Sequence, residues 1–288
     1  MASLIATCSP PTSTLDQVLE LGELRVVTRN SPTAYFVGPE GPAGPEYDLV
    51  HGLANQLGVT LVIETVDNVS EIMPYLTDGG AHMAAAGLSS TEVLREHHDF
   101  GHPNNTVDMH LIYKLGTGKP RSIEEVIGRS VEVVASSSHS EMMHALGVAH
   151  PDLEWSENTE DEVADLLKKV VLGEVEFTIA DSTEFGIQRH FYPDLRIALD
   201  LKIADPIAWA FPKQEDDSLL EAADEYLIRA NRAGVLAQVN DRYFGHTEKF
   251  DYVGTRAFIR HFKTRLPRYR QLFEEAGETW GVDWRLLA

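Results

Sequence analysis

"GPEYDLVHGLANQLGVTLVI", residues 44–63, sets two patterns end to end. Leu49, Val50, Leu53, Ala54 and Leu57 recur at helical spacing and build one apolar face, with Asp48 ahead of them as the expected N-cap. Gly58 is placed to end that helix, and residues 59–63 follow at once as a β-rich run. Upstream, residues 24–28 form another β-rich run, closed by the turn cluster Asn30, Ser31 and Pro32. The connection "VGPEGPAGPEY", residues 37–47, holds enough Gly and Pro to predict no regular structure. Strand, helix and strand with short connections predict a parallel sheet and an α/β fold.

The alternation continues with a helix at 69–78 and strands at 81–85 and 107–114. Residues 115–120, "LGTGKP", read as a hinge, after which the pattern restarts. A strand at 131–134, a helix opening at Ser138 and a helix at 161–172 follow; the last carries Val163, Leu166, Leu167, Val170 and Val171 as one stripe. Then come a strand at 177–180 ending on Asp181, a strand at 207–211 and a long helix at 218–240. Tyr269, Leu272, Phe273 and Ala276 mark one more amphipathic helix, opened by Pro267. A single core rarely grows past about 250–300 residues, so 288 residues predict two lobes.

Forty-five acidic against 24 basic residues give a net charge of -21, which repels nucleic acid and anionic lipid headgroups. No apolar run approaches the roughly 20 residues of a membrane helix. With Cys8 the single cysteine, no intramolecular disulfide can form. The histidines of "REHHDFGH", His97, His98 and His102, lack the cysteine or carboxylate company of a metal site, and none is expected. Glu274 and Glu275 fall on a solvated helix face and are assigned no catalysis. No cofactor motif, such as a Gly-rich phosphate loop, is present, and a monomer is expected.

Four blocks carry a resemblance: residues 44–63, "LTDGGAHMAAAGLSSTEVLREHHDFGHP" at 76–103, "SIEEVIGRSVEVVASSSHSEMM" at 122–143 and "LLKKVVLGEVEFTIADST" at 166–183. In order and spacing they resemble the family-3 extracellular solute-binding proteins. The resemblance implies a two-lobed α/β fold of the periplasmic-binding-protein-like (type II) kind that closes on amino acids, followed here by a C-terminal helical linker. It implies a discontinuous first lobe, residues 20–113 and 203–245, and a second lobe, residues 114–202, between a lead at 1–19 and a tail at 246–288. The tail blocks "YVGTRAFIRHFKTRLPRYRQLF" and "VDWRLLA" resemble the junction of the lytic murein transglycosylase F family. There a solute-binding module precedes a lysozyme-like catalytic module, whose glutamate is expected just past Ala288. "LIATC", residues 4–8, is similar to the end of a bacterial lipoprotein signal, so Cys8 is expected to be acylated. The implied protein is a periplasmic, outer-membrane-anchored peptidoglycan lyase whose non-catalytic module senses an amino acid or muropeptide-derived peptide. The alternative is a free-standing amino-acid receptor of an ABC transporter, which lacks such a tail.

The same resemblance implies the ligand contacts. Ser89, Thr91 and nearby backbone N–H groups of "GLSSTEVLRE" are expected to cradle a carboxylate, or simply to cap the following helix. Amino-acid binders carry an arginine three residues after that threonine. Here Leu94 stands at that position and Arg95 comes one residue late, turned by about 100° on a helix. Asp181 is expected to hold the ligand's amino group, or to act as an N-cap. Ser137, Ser138 and His139 would close from the second lobe, and Tyr35 would lie on the ligand's apolar part or serve in lobe packing.

Overall fold

The computed structural model describes residues 13–245 and 265–280. Strands β1 (Glu23–Arg29) and β4 (Thr60–Val66) run parallel in unbroken register from Glu23↔Thr60 to Arg29↔Val66, with α2 (Pro45–Leu57) as the crossover between them. The first sheet is completed by β5 (Met83–Ala84), β12 (Ala210–Pro212) and β6 (His98–Phe100), in the order β4-β1-β5-β12-β6. Strand β12 is antiparallel to both its neighbours. The predicted α2 face is the buried one: Leu49, Val50, Leu53 and Ala54 pack with Leu24, Val26, Trp209 and Leu227 in one core.

The start of α2 differs from the expectation. Pro45 opens the helix, Gly44 is its N-cap, and Asp48 lies inside it, accepting from the Tyr243 hydroxyl at 2.9 Å. Gly44 has φ 133°, and a Cβ there would come within 2.2 Å of Ala34 O, so only glycine fits. The Gly/Pro connection is not irregular either. β2 (Phe36–Gly38) and β3 (Gly41–Ala43) form a two-stranded hairpin in which Pro42 sits on a strand with only one neighbour. The expected helix at 218–240 is two, α8 (Ser218–Arg232) and α9 (Val235–Phe244), separated by the left-handed Gly234 at φ 78°.

In the second lobe the central sheet is antiparallel, not the restarted parallel alternation. β7 (Asn105–Lys114) lies between β10 (Phe177–Asp181) and β11 (Leu195–Ile207) and runs against both. A parallel pair, β8 (Glu132–Val134) and β9 (Ser156–Asn158), adjoins β10 through the Val131–Phe177 bridge. The stripe of α6 (Val163–Leu172) buries Val163, Leu166, Leu167 and Val170 against Ile112, Val134 and Leu195. Residues 115–120 are not between the lobes. Their end of β7 pairs Leu115 N–H with Asp194 O, and Arg129 holds the carbonyls of Thr117 and Gly118, all within the second lobe. The chain instead crosses at the opposite ends of β7 and β11, where Asn104 N–H meets Ile207 O and Ser89 bridges Ile207. There β11 carries register shifts and Ala204 adopts φ 54°, its N–H bonded to Asp108 Oδ1.

The helix expected near the C-terminus is α10 (Leu266–Trp280), with Pro267 in its first turn. Cys8 and residues 282–288, which carry two of the sequence expectations, lie outside the described residues.

Candidate functional site

The two lobes meet around one buried cation. Arg29, at the C-terminal end of β1, is 11 % exposed in its side chain. It donates from Nη1 to Glu162 at 2.7 Å and from Nη2 to Glu184 at 2.9 Å, both in the second lobe. Its Nε donates to Ala86 O in the first lobe. Glu162, which precedes α6, also accepts from the N–H of Val69, the first residue of α3 (Val69–Thr77). Burial works against the Arg29 charge, but Glu184 and Glu162 outweigh it and raise its pKa. A second tie crosses the cleft where Thr91 Oγ1 donates to Glu141 of α5 (Ser138–Ala149) at 3.1 Å.

Beside Arg29 lies a cavity of about 60 Å³ whose lining includes Ser89, Leu94, Ser138, His139, Asp181 and Glu184. That is space for roughly four or five waters, the scale of the polar head of an amino acid. His139 Nε2 faces Asp181 Oδ1 at 3.4 Å, and the imidazole is 5 % exposed. Burial disfavours its charge, but Asp181, aided by Glu184, more than offsets this and raises its pKa. Two buried atoms, His139 Nδ1 and Glu184 Oε2, have no hydrogen-bond partner.

The predicted residues divide into two groups. Ser89, Ser137, Ser138, His139 and Asp181 converge on the cavity. Ser137 is also the N-cap of α5, accepting from Ser140 N–H, and its hydroxyl donates to Val134 O. Asp181 stands at the N-cap position of α7 (Ser182–Phe191), but its side chain makes no capping bond and turns to His139 instead. Thr91, Arg95 and Tyr35 do not line the cavity. Thr91 caps α4 (Glu92–His97) through Leu94 N–H. Arg95 Nε donates to Ser90 O and its guanidinium lies 5.4 Å from the Phe100 ring centroid, while Leu94 faces the cavity. Tyr35 packs on Tyr47, ring centroids 5.8 Å apart.

Arg29, Glu162 and Glu184 escaped the sequence reading. Each is a single charge with no motif around it, and only the approach of distant segments makes them a cluster. The one available signal was Arg29 itself, a charge that directly follows the buried run from Val26 to Thr28 at the end of β1. Glu46 was missed for the same reason. It is 5 % exposed in the first lobe, and its Oε2 accepts from Trp209 Nε1 at 2.7 Å and Asn104 Nδ2 at 3.0 Å. Burial raises its pKa despite those bonds and one from Gly87 N–H. It lines a smaller cavity of about 30 Å³ that shares Arg29, Asp181 and Glu184 with the first. Among the described residues no group of three or more His, Cys, Asp or Glu is arranged to hold a metal ion.

Comparison with known proteins agrees with this architecture. The family model described as bacterial extracellular solute-binding proteins, family 3, matches residues 24–246. The chain is 42% identical over 279 residues to membrane-bound lytic murein transglycosylase F 1 of Alkalilimnicola ehrlichii, covering 96% of this chain and 56% of the relative. It is 39% identical over 286 residues to membrane-bound lytic murein transglycosylase F of Stutzerimonas stutzeri, covering 99% of this chain and 59% of the relative. The chain thus spans 56% and 59% of the length of these two curated relatives. Among solved structures, a mutant of ArgBP from T. maritima superposes with a TM-score of 0.70 at 21% identity, over 81% of this chain and 99% of that one. An ancestral arginine-binding protein bound to arginine gives 0.69 at 23% identity, over 77% and 98%. At those identities the structures show the shared two-lobed fold. The match over residues 24–246 makes the chain a member of the bacterial extracellular solute-binding proteins, family 3.

Proposed function

We propose that the chain is the ligand-sensing module of a lytic murein transglycosylase, and that its cleft takes a small amine-bearing ligand, an amino acid or a short cell-wall peptide. The observation that supports this most is the interlobe cavity, which presents an unpaired buried carboxylate oxygen and an unpaired imidazole nitrogen beside serine hydroxyls. We divide the lobes at 104/105 and 207/208, where the chain crosses. Ligand held between them favours the closed arrangement by its differential affinity and so biases whatever is attached to the chain. In the whole protein that partner is a murein-cleaving module acting on peptidoglycan. A periplasmic location, with anchoring to the outer membrane through an acylated Cys8, completes the reading. No helix among the described residues is long and apolar enough to cross a membrane.

The test is a thermal-shift panel of neutral, acidic and basic amino acids, their amides and wall-derived tetrapeptides. At a hundredfold excess over Kd a binder adds about 2.7 kcal/mol, or roughly 5–10 °C for a domain this size. A shift that disappears in Asp181→Ala is the expected result. A panel in which no amine moves the melting temperature would remove the cleft as a ligand site.

A further inference from the structure

Among the described residues, the cleft has no guanidinium or ammonium whose charge is left unbalanced for a ligand's carboxylate. Three of the five Arg29 N–H groups are engaged, on Nε by Ala86 O, on Nη1 by Glu162 and on Nη2 by Glu184, and the two carboxylates more than balance its single charge. Among the described residues, no lysine and no second arginine lines the cavity. Three carboxylates, Glu162, Asp181 and Glu184, face that one guanidinium and the His139 imidazole. A buried polar atom without a partner costs free energy, so the unpaired atoms mark what a ligand supplies. Glu184 Oε2 is an acceptor and calls for a donor, best a charged one. His139 gives Nε2 to Asp181, and with the carboxylates around it favouring the protonated ring, its Nδ1 presents an N–H that calls for an acceptor.

One small group meets both needs: an ammonium with an uncharged carbonyl oxygen on the next carbon. A free amino acid brings the same ammonium but also a full negative charge. That charge would sit among three carboxylates, with a single imidazole N–H and a few hydroxyls to receive it.

We infer that the cleft takes the amino end of a compound whose neighbouring carboxyl is blocked, an α-amino amide such as the N-terminal residue of a peptide, in preference to a free amino acid. The ammonium sits between Glu184 and Asp181, and the amide carbonyl accepts from His139 Nδ1. This rests on the cleft being the ligand site.

Calorimetric titration of the chain with L-alaninamide, L-alanine and N-acetyl-L-alanine at pH 7 and constant ionic strength tests it. Alaninamide is expected to bind at least tenfold more tightly than alanine, and N-acetylalanine to give no heat of binding. Glu184→Gln keeps an acceptor for Arg29 but removes the charge, and is expected to weaken alaninamide at least tenfold. Asp181→Asn serves the same purpose if the first variant melts early. Alanine within tenfold of alaninamide, or tighter, overturns the inference while leaving the proposed function standing, because the cleft would then be shown to accept a free carboxylate. Unchanged alaninamide affinity in both variants also overturns it. No binding by either compound, together with a silent amine panel, removes this inference and the proposed function at once.

Discussion

Arg29→Ala removes the one side chain that ties both second-lobe acids to the first lobe. The variant forfeits two charge-assisted bonds of 2.7 and 2.9 Å and leaves Glu184, 12 % exposed, without its ion-pair partner, only the His139 imidazole, already facing Asp181, remaining to offset its charge. Removing one partner of a fully buried pair costs about 3–5 kcal/mol. Glu162 is 27 % exposed, and parting of the lobes would let both acids rehydrate. About 2–3 kcal/mol is therefore the expected penalty, somewhat under the buried-pair range. At about 1.4 kcal/mol per factor of ten, the closed arrangement loses roughly 30- to 150-fold in population relative to the open one. Small-angle scattering should report a larger radius of gyration for ligand-free Arg29→Ala than for the parent chain. The melting temperature should fall by roughly 4–12 °C. Adding Glu162→Gln to Arg29→Ala should recover part of the loss, since it removes one of the stranded charges. An unchanged radius together with a melting point within a degree of the parent would refute the reasoning, and so would a double variant no more stable than the single one.

Three further outcomes are expected. Glu46→Ala leaves Trp209 Nε1–H and Asn104 Nδ2–H unpaired in the core and should cost about 2–4 kcal/mol in denaturant unfolding, whereas Glu46→Gln, which keeps an acceptor, should cost under about 1 kcal/mol; equal losses would show that the two bonds contribute nothing. His139 is raised above its ordinary value of 6.5 in the folded chain, so its contribution to stability is complete below about pH 6.5 and is lost as pH rises through the higher folded-state value. Melting temperatures from pH 6 to 9 should therefore slope downward more steeply in the parent than in His139→Gln, and identical slopes would place the proton elsewhere. Arg95→Ala should leave ligand affinity within about threefold, because its side chain is committed to Ser90 O and Phe100 outside the cavity; a loss of about 2 kcal/mol or more would mean that a charge-assisted ligand bond exists there.

Local pattern was sufficient wherever a segment's own periodicity matched its burial. The α2 face at Leu49, Val50, Leu53 and Ala54 and the α6 stripe from Val163 to Val170 could be read directly, because a helix with one apolar side has one way to meet a core. The strand-helix-strand order of residues 23–66 likewise implied the parallel β1–β4 pair. Where a single backbone angle decides, the reading failed. Gly44 as an N-cap with φ 133° and Gly234 as a break between α8 and α9 depend on what packs around them, and a glycine looks the same in either role. The antiparallel second sheet was hidden for a related reason. A strand buried on both faces has the same composition in either direction, and only the pairing of β7 with β10 and β11 sets it.

The candidate site shows the same division. Ser137, Ser138, His139 and Asp181 lie at element ends and Ser89 just ahead of α4, places marked in the sequence by turn and capping residues. Arg29, Glu162 and Glu184 are separated by 133 and 155 residues along the chain, and their charges acquire meaning only at 2.7 and 2.9 Å. Sequence determined the core-facing sides of helices such as α2 and α6 and the parallel β1–β4 unit, because those follow from local periodicity. Tertiary structure alone decided which charges meet, since an ion pair's energy falls with distance and is set by burial, and neither quantity exists until the lobes come together.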